Sequence, residues 1–295
     1  MSYSIPTHHV EQYRANVIHL AQQKGSRLRS TVRDDGDIVG SKVYFDRLGV
    51  TAAQKVLNRH GDTPLNNASH TRRAASMYDY DWAELVDWTD KLKTLYDPTN
   101  KYTQSAAWAL GRAQDDEIIA ALGGNAYTGV DGSTAEALPA AQKILVDDHT
   151  YDSGTGDVGL TISKLIKAKN LLDTAEVDEM AKRYIAVTAD QVSDLLTTTE
   201  VTSSDYNTVK ALAAGEINTF MGFEFKRTER MLTVGGDRLI YAYTDQAIGI
   251  GVPKDINVDI GPRRDKRNAT QVYACQSIGA TRVEDVQVVE IACNI

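Results

Sequence analysis

The chain has 295 residues, of which 42% are hydrophobic and 24% are charged, and its formal net charge is −8. These values are ordinary for a folded protein, and the acidic balance argues against a protein that coats nucleic acid by electrostatic attraction. No apolar stretch approaches the roughly 20 residues of a membrane-spanning helix, and residues 1–23 lack the basic start and apolar core of a signal peptide. We therefore expect a protein of the cytoplasm of the cell that makes it, with no membrane partner.

Residues 7–23 have the pattern of a short amphipathic helix. Val10, Tyr13, Val17 and Leu20 recur at three- and four-residue spacing and form one apolar stripe. Either the core of the same domain or a neighbouring subunit would cover this stripe, and the spacing does not separate the two.

Residues 26–77 are rich in Arg, Asp, Gly and Thr and poor in large apolar clusters. Two strand-like runs, 26–32 and 38–45, flank turn residues at 34–36, and a short helix is expected at 51–58. Such a stretch buries little surface alone. It therefore either packs on the rest of the chain or protrudes and docks on another molecule.

Residues 78–97 are acidic and aromatic. Leu85, Trp88, Leu92 and Leu95 follow helical spacing here, which predicts a helix. Basic residues outnumber acidic ones at 26–77, and the reverse holds at 78–97, so these two segments of different copies could form ion pairs. Such pairs would set the relative orientation of the copies more than their affinity. Alternatively, the basic segment and the acidic segment each face solvent and do not pair.

The pattern at residues 101–122 predicts a long helix, on the order of 30 Å from end to end. The pair Gly123 and Gly124 supplies its end. Residues 125–159 are loop-like, apart from an alanine-rich piece at 135–145 that is expected to be helical.

Shorter elements follow. A helix is predicted at residues 160–172 and a strand at 184–187. Asp190 is expected to cap a short helix that ends at Leu196, and another helix is expected at 204–214.

The remainder of the chain is rich in strand patterns. Residues 223–225 alternate, the glycines at 235–236 indicate a hairpin turn, and runs 271–277 and 286–293 suggest a final pair of strands around Gly279. With a long helix early and strands late, the expected class is α+β.

A search for reaction chemistry gives one motif of interest, a GxGxxG string at Gly154, Gly156 and Gly159. A dinucleotide site needs that turn to leave a strand directly, and a polar stretch intervenes here. A flexible glycine loop is the favoured interpretation.

Other polar clusters are equally unspecific. The carboxylates of Asp147, Asp148, Asp152 and Asp157 could suit a cation but do not follow EF-hand spacing, so a polar surface loop is preferred. The six histidines lack a second ligand at metal-site spacing, and the two cysteines are expected to be buried free thiols. A compact basic run has too few aromatics for nucleic-acid binding and is expected to be a solvated or intersubunit loop; it comprises Arg263, Arg264, Lys266 and Arg267. The sequence thus predicts a non-enzyme with no catalytic, cofactor-binding or metal site and no cofactor.

Five motifs, in order along the chain, carry a resemblance to a known family. They are ALGRAQDDEII at residues 109–119, RYIAVT with QVSDLL at 183–196, TSSDYNTVKALAAGEINTFMGFEF at 202–225, DQAIG at 245–249, and IGATRV at 278–283. Together they resemble the major capsid proteins of tailed bacteriophages over most of the chain.

This resemblance implies the Hong Kong 97 capsid fold. Its parts would be an N-terminal arm at 1–25, an extended loop at 26–77, a peripheral domain with a spine helix at 78–158, an axial domain at 159–257, and a return to the peripheral domain at 258–295.

The resemblance also implies partners and a location. Copies of the chain would form hexamers and pentamers that close into an icosahedral shell around the double-stranded DNA of a phage, bound without sequence specificity. A separate scaffolding protein and a portal protein are implied, with assembly in the host cytoplasm and residence in the virion. The alternative is an encapsulin-like compartment that encloses a cargo enzyme.

Overall fold

The computed structural model describes residues 20–36, 38, 40–55, 63, 65–87, 99–152, 154–197 and 218–295. Residues 7–19 of the first predicted helix and all of the helix predicted at 204–214 lie outside these ranges. Of the helix expected at 51–58, residues 51–55 are described and have no regular structure.

Three α-helices lie in the described residues: α1 at Thr99–Gly123, α2 at Ile162–Thr174 and α3 at Ala189–Thr197. Helix α1 confirms the long helix expected at 101–122. The amide of Gly124 donates to the Ala120 carbonyl at 2.8 Å and closes its last turn, as the glycine pair indicated.

The cap of α3 differs from the expectation. Asp190 lies inside the helix, and the residue before the helix is Thr188. The Oε1 atom of Gln191 accepts a hydrogen bond from the Thr188 amide at 3.2 Å, which is the reciprocal half of a capping box. Asp190 instead places its charge in the first turn, where the helix dipole favours it.

The described strands number fifteen. In chain order, they are β1 Arg33–Asp34, β2 Lys42–Leu48, β3 His70–Ser76, β4 Tyr78–Val86, β5 Ala126–Thr128, β6 Thr134–Glu136, β7 Lys143–Ile144, β8 Arg183–Val187, β9 Thr219–Phe220, β10 Phe223–Arg227, β11 Thr233–Val234, β12 Asp237–Thr244, β13 Ile248–Arg263, β14 Ala269–Arg282 and β15 Val288–Asn294.

A seven-stranded mixed sheet contains most of the core. Its order is β7-β15-β12-β8-β10-β9, with β11 also paired to β12. All five residues of β8 are buried, which is typical of a strand covered on both faces. The β11–β12 pairing places Gly235 and Gly236 in the turn, so the predicted hairpin is confirmed.

A four-stranded sheet, β1-β13-β14-β4, lies against α1. Ala106 and Leu110 of the helix pack on Ala274 of β14, with Tyr80 and Trp82 of β4 at the edge of this cluster. Trp88, Leu92 and Leu95 of the helix predicted at 78–97 lie outside the described ranges, and the prediction is wrong at Leu85, which lies in β4. Polar and aromatic residues alternate with period two there, and pairing with β14 over nine residues determines the outcome.

A second four-stranded sheet, β2-β3-β5-β6, is built on the β2–β3 hairpin. The strand expected at 26–32 is wrong. Residues Arg29–Thr31 form a 3-10 turn, and the amides of Arg27 and Leu28 are bonded to a side chain and not to a strand. Since β1 pairs with β13, the turn at 34–36 does not make a hairpin with β2.

Two further expectations fail for identifiable reasons. The helix expected at 135–145 is replaced by β6, a 3-10 turn and β7, because Pro139 holds an extended backbone with ψ of 143°. The strands expected to pair around Gly279 belong to different sheets: β14 pairs with β13 and β4, and β15 pairs with β12 and β7. Strand alternation indicates that a strand forms but does not identify its partner.

Within the described part of the chain, every helix is too short or too polar to span a bilayer.

Candidate functional site

The middle of α1 is crossed by residues 22–28, here called the strap. At the crossing point is Gly111, and a β-carbon there would lie 2.6 Å from Cα of Gly25 and 2.7 Å from N of Ser26. These are backbone atoms with no freedom to yield. Only glycine at position 111 therefore lets the strap lie directly on the helix.

One turn further along, the buried carboxylate of Asp115 binds the strap. It accepts hydrogen bonds from Ser26 Oγ at 2.5 Å, Arg27 N at 3.1 Å and Leu28 N at 3.0 Å. The side-chain amide of Gln23 donates to its other oxygen. Asp115 has no exposed surface, so these donors replace the water that an ionised carboxylate requires.

The start of the strap is held by Arg112. Its Nη1 atom donates to Gln22 Oε1 at 2.9 Å and to the Gln23 carbonyl at 3.1 Å. The ammonium group of Lys24 lies 5.6 Å from the ring centre of Trp108, within cation–π range. The string GRAQD at residues 111–115 is thus a binding surface for the preceding segment of the chain.

The next two residues of α1 reach other parts of the fold. Asp116 forms a two-bonded ion pair with Arg230. Glu117 accepts a hydrogen bond from the Tyr80 hydroxyl of β4. The pKa of Tyr80 is raised, first by burial and second by this hydrogen bond. Consecutive side chains therefore join α1 to three separate parts of the subunit.

The C-terminal end of α1 is held by Arg282, whose side chain is fully buried. Its Nη1 atom donates to the carbonyls of Leu122 at 3.2 Å and Gly124 at 2.7 Å. These carbonyls lack partners in the helix itself, and the cation also matches the negative end of the helix dipole.

A cluster of ion pairs around two buried arginines connects this helix end to the β2–β3 hairpin. Its members are Arg73, Glu136, Arg282 and Asp285, called the arginine node below. Asp285 accepts from Arg282 Nε at 2.5 Å and from Arg73 Nη2 at 2.7 Å. Arg73, which is on β3, also contacts Glu136 at 2.7 Å. The middle of strand β3 and the end of α1 therefore share one carboxylate.

The far end of that hairpin is apolar and exposed. The side chains of Leu48, Val50 and Leu65 are 65%, 104% and 85% exposed. Large exposed apolar side chains are a feature that interaction surfaces often share.

The glycine string at 154–159 does not follow a strand directly. Strand β7 ends at Ile144, well before Gly154. Oδ2 of Asp194 accepts from the Leu160 amide at 3.2 Å, so a carboxylate of this chain is bound just before α2. Burial raises the pKa of Asp194.

Two aspartates of this loop are bonded to groups of the chain. Asp148 pairs with Lys167, and Asp152 contacts His149 at 2.6 Å. Among the described residues, no three His, Cys, Asp or Glu side chains converge as metal ligands. The basic run at 263–267 is exposed at the β13–β14 turn, where Arg263 pairs with Asp265 at 2.6 Å.

Lys164 was not identified from the sequence. Its fully buried ammonium group donates to the carbonyls of Val146, Val158 and Ala292 at 3.0, 2.8 and 2.8 Å. Burial lowers its pKa. Nothing in a single sequence marks a lysine as buried, just as nothing marked Asp115 or Arg282 within their motifs.

A family model of phage capsid proteins matches residues 5–295. The chain belongs to the phage capsid protein family. Among the curated proteins, no relative matches it. As a capsid protein it forms the shell of the virion by association with further copies, and the comparisons do not favour a cargo compartment.

Solved capsid structures share the fold at low sequence identity. The capsid of Ralstonia phage GP4 is 11% identical with a TM-score of 0.74, covering 100% of this capsid protein and 98% of that chain. The capsid of cyanophage P-SCSP1u is 14% identical with a TM-score of 0.70, covering 96% and 93%. The structure named Mycobacterium phage Che8 is 17% identical with a TM-score of 0.67, covering 98% of both chains. The expected α+β fold of the Hong Kong 97 type is confirmed.

Proposed function

We propose that this major capsid protein assembles as hexamers and pentamers into the icosahedral shell that encloses the double-stranded DNA genome of a tailed phage. The observation that carries the proposal is the family match over nearly the whole chain. The described contacts support it, because they form internal joints and not a reaction centre.

The division into parts is proposed on the same basis. Residues 1–25 would be the arm, 26–77 the extended loop, 78–158 the peripheral domain with α1 as its spine helix, 159–257 the axial domain, and 258–295 the return. The β2–β3 hairpin supports the second part, because Arg73 holds the middle of β3 and the far end of the hairpin carries exposed apolar side chains. That far end would pack on a neighbouring copy.

Further partners are proposed from the family. A separate scaffolding protein would direct closure, a portal protein would occupy one vertex, and DNA would be enclosed without sequence recognition. A net charge of −8 suits a lining that does not trap DNA. Assembly would take place in the host cytoplasm, and the protein would have no enzymatic activity.

The test is assembly itself. The chain is expressed alone and with a candidate scaffold, then studied by sedimentation velocity and negative-stain electron microscopy. Closed shells, tubes, hexamers or pentamers are expected. A stable monomer or dimer under both conditions would contradict the proposal. Nuclease-protected DNA in particles from phage-infected cells is expected, whereas a protein cargo without DNA would support the compartment alternative.

A further inference from the structure

We propose that Asp115 is a positioning residue for assembly. By binding the strap to the middle of α1, it fixes the position and direction of residues 22–28 on the subunit, and so determines how neighbouring copies fit together in the shell. This inference rests on the proposed function, because it matters only if the protein forms a shell.

The composition of the strap makes polar contacts decisive. Residues 22–27 read Gln-Gln-Lys-Gly-Ser-Arg and contain no apolar side chain. Leu28, at the end of the strap, is fully buried and is its one apolar anchor. Burial of Leu28 holds the end of the strap, but only directional bonds can fix the course of residues 22–27.

Asp115 supplies those bonds from a single point. Ser26 Oγ, Arg27 N, Leu28 N and the Gln23 side chain all donate to its two oxygens. Hydrogen bonds to an ionised carboxylate are roughly twice as strong as neutral ones. Their number and directions also leave the strap one orientation on the helix.

The strap is also hydrogen-bonded to a second part of the fold. Arg27 Nη1 donates to the Arg227 carbonyl at 2.6 Å, and Thr228 Oγ1 donates to Gln23 Oε1 at 3.3 Å. Residues 227–228 end strand β10 of the seven-stranded sheet. The strap thus lies in a joint between α1 and that sheet, and Asp115 is at its centre.

The first variant is Asp115→Asn, which keeps the shape and removes the charge and one acceptor. Asp116→Asn is the matched control, because it makes the same change one residue along, at an exposed ion pair that does not touch the strap. Hydrogen exchange at the amides of Arg27 and Leu28 reports strap binding, and the melting temperature reports the fold. We expect at least tenfold faster exchange in Asp115→Asn, with exchange in Asp116→Asn like that of the wild type.

Assembly is the second readout. Shells of Asp115→Asn are expected to be lost or to vary in diameter, as seen by negative-stain microscopy, while Asp116→Asn gives the wild-type diameter. A change in shell geometry at an unchanged melting temperature is not produced by a merely structural role.

A strap-side variant keeps the test decisive if Asp115→Asn does not fold. The double variant Gln23→Ala with Ser26→Ala alters only the strap and leaves α1 intact. It is expected to speed exchange and disturb shell diameter in the same direction. Wild-type diameter in this variant despite faster exchange would overturn the inference, as would unchanged exchange in every variant. Failure of the wild type to assemble would instead overturn the proposed function.

Discussion

The Nη2 atom of Arg73 lies 2.7 Å from the Oδ2 atom of Asp285. The arginine is almost fully buried on β3, and the same aspartate also binds Arg282 at the end of α1. A hairpin with an exposed end is therefore attached to the core by a pair of ions and not by apolar packing alone.

Asp285→Asn should destabilise the subunit strongly. Arg282 would lose its carboxylate partner and Arg73 would keep only that of Glu136, and removal of one partner from a buried ion pair costs about 3 kcal/mol in free energy of unfolding. Urea denaturation of the unassembled subunit measures this. Asp265→Asn, which breaks the exposed pair with Arg263, should leave the denaturation midpoint unchanged. Equal shifts of the denaturation midpoint in Asp285→Asn and Asp265→Asn would contradict the idea that burial makes the Asp285 ion pairs strong.

Gly279→Ala should separate β14 from the end of β3. The added β-carbon would lie 2.9 Å from the carbonyl carbon of Ser76, which is backbone and cannot rotate away. We expect a loss of about 2 kcal/mol in free energy of unfolding, as for other overpacked sites. Gly261→Ala, at a position with nothing within 4 Å, is the control and should be neutral. The idea fails if the two variants unfold at the same denaturant concentration.

The loop between His149 and Gly156 should loosen as pH rises. The His149 ring contacts the Gly156 carbonyl at 2.9 Å through Nε2 and Asp152 at 2.6 Å through Nδ1. Two acceptors require both nitrogens to carry protons, and the bond to Gly156 and then the bond to Asp152 raise the pKa of His149 above 6.5, against the opposing charge of Lys164.

The two hydrogen bonds of the His149 ring depend on its protonated form. The bonds are complete below about pH 6.5 and are lost as pH rises through the higher pKa of the folded state. Imidazole titration by NMR should give a His149 pKa above 6.5. The amide of Gly154 donates to Asp152 Oδ1 at 2.9 Å, and its protection factor, which is corrected for the intrinsic effect of pH, should fall at alkaline pH. Asp152→Asn should lower that pKa. A His149 that titrates below 6.5 in the wild type would rule out this account.

Cys293 should be inert in the folded subunit. It has no exposed surface, and burial raises the pKa of its thiol to about 12, so thiolate is negligible at neutral pH. Mass spectrometry after maleimide treatment at pH 7.5 should show Cys293 unmodified in the native protein and labelled in urea. Rapid native labelling would show that the end of the seven-stranded sheet opens.

Sequence patterns predicted correctly those elements whose formation depends on residues close together in the chain. Helix α1 was predicted because its apolar spacing and its terminal glycines act within a few residues. The turn at Gly235 and Gly236 was predicted for the same reason. At 78–86 two periodicities coexist, and pairing with β14 selected the strand. No short-range pattern contains that partner.

The roles of the site residues depended on the same missing information. Asp115 and Arg282 stood within recognisable motifs, yet their functions are set by burial and by partners 87 to 160 residues away in sequence. The resemblance indicated that these strings matter. The hydrogen bonds show that they do so by joining distant segments of one subunit.

Strand β15 lies between β12 and β7, and every other strand of its sheet is synthesised before it. Ribosomes deliver the chain in order, so the sheet has an open slot until residues 288–294 have emerged. A nascent or prematurely terminated chain therefore lacks a finished core and has two strand edges without partners. A subunit therefore becomes fit for a lattice of identical copies only after translation has passed residue 294.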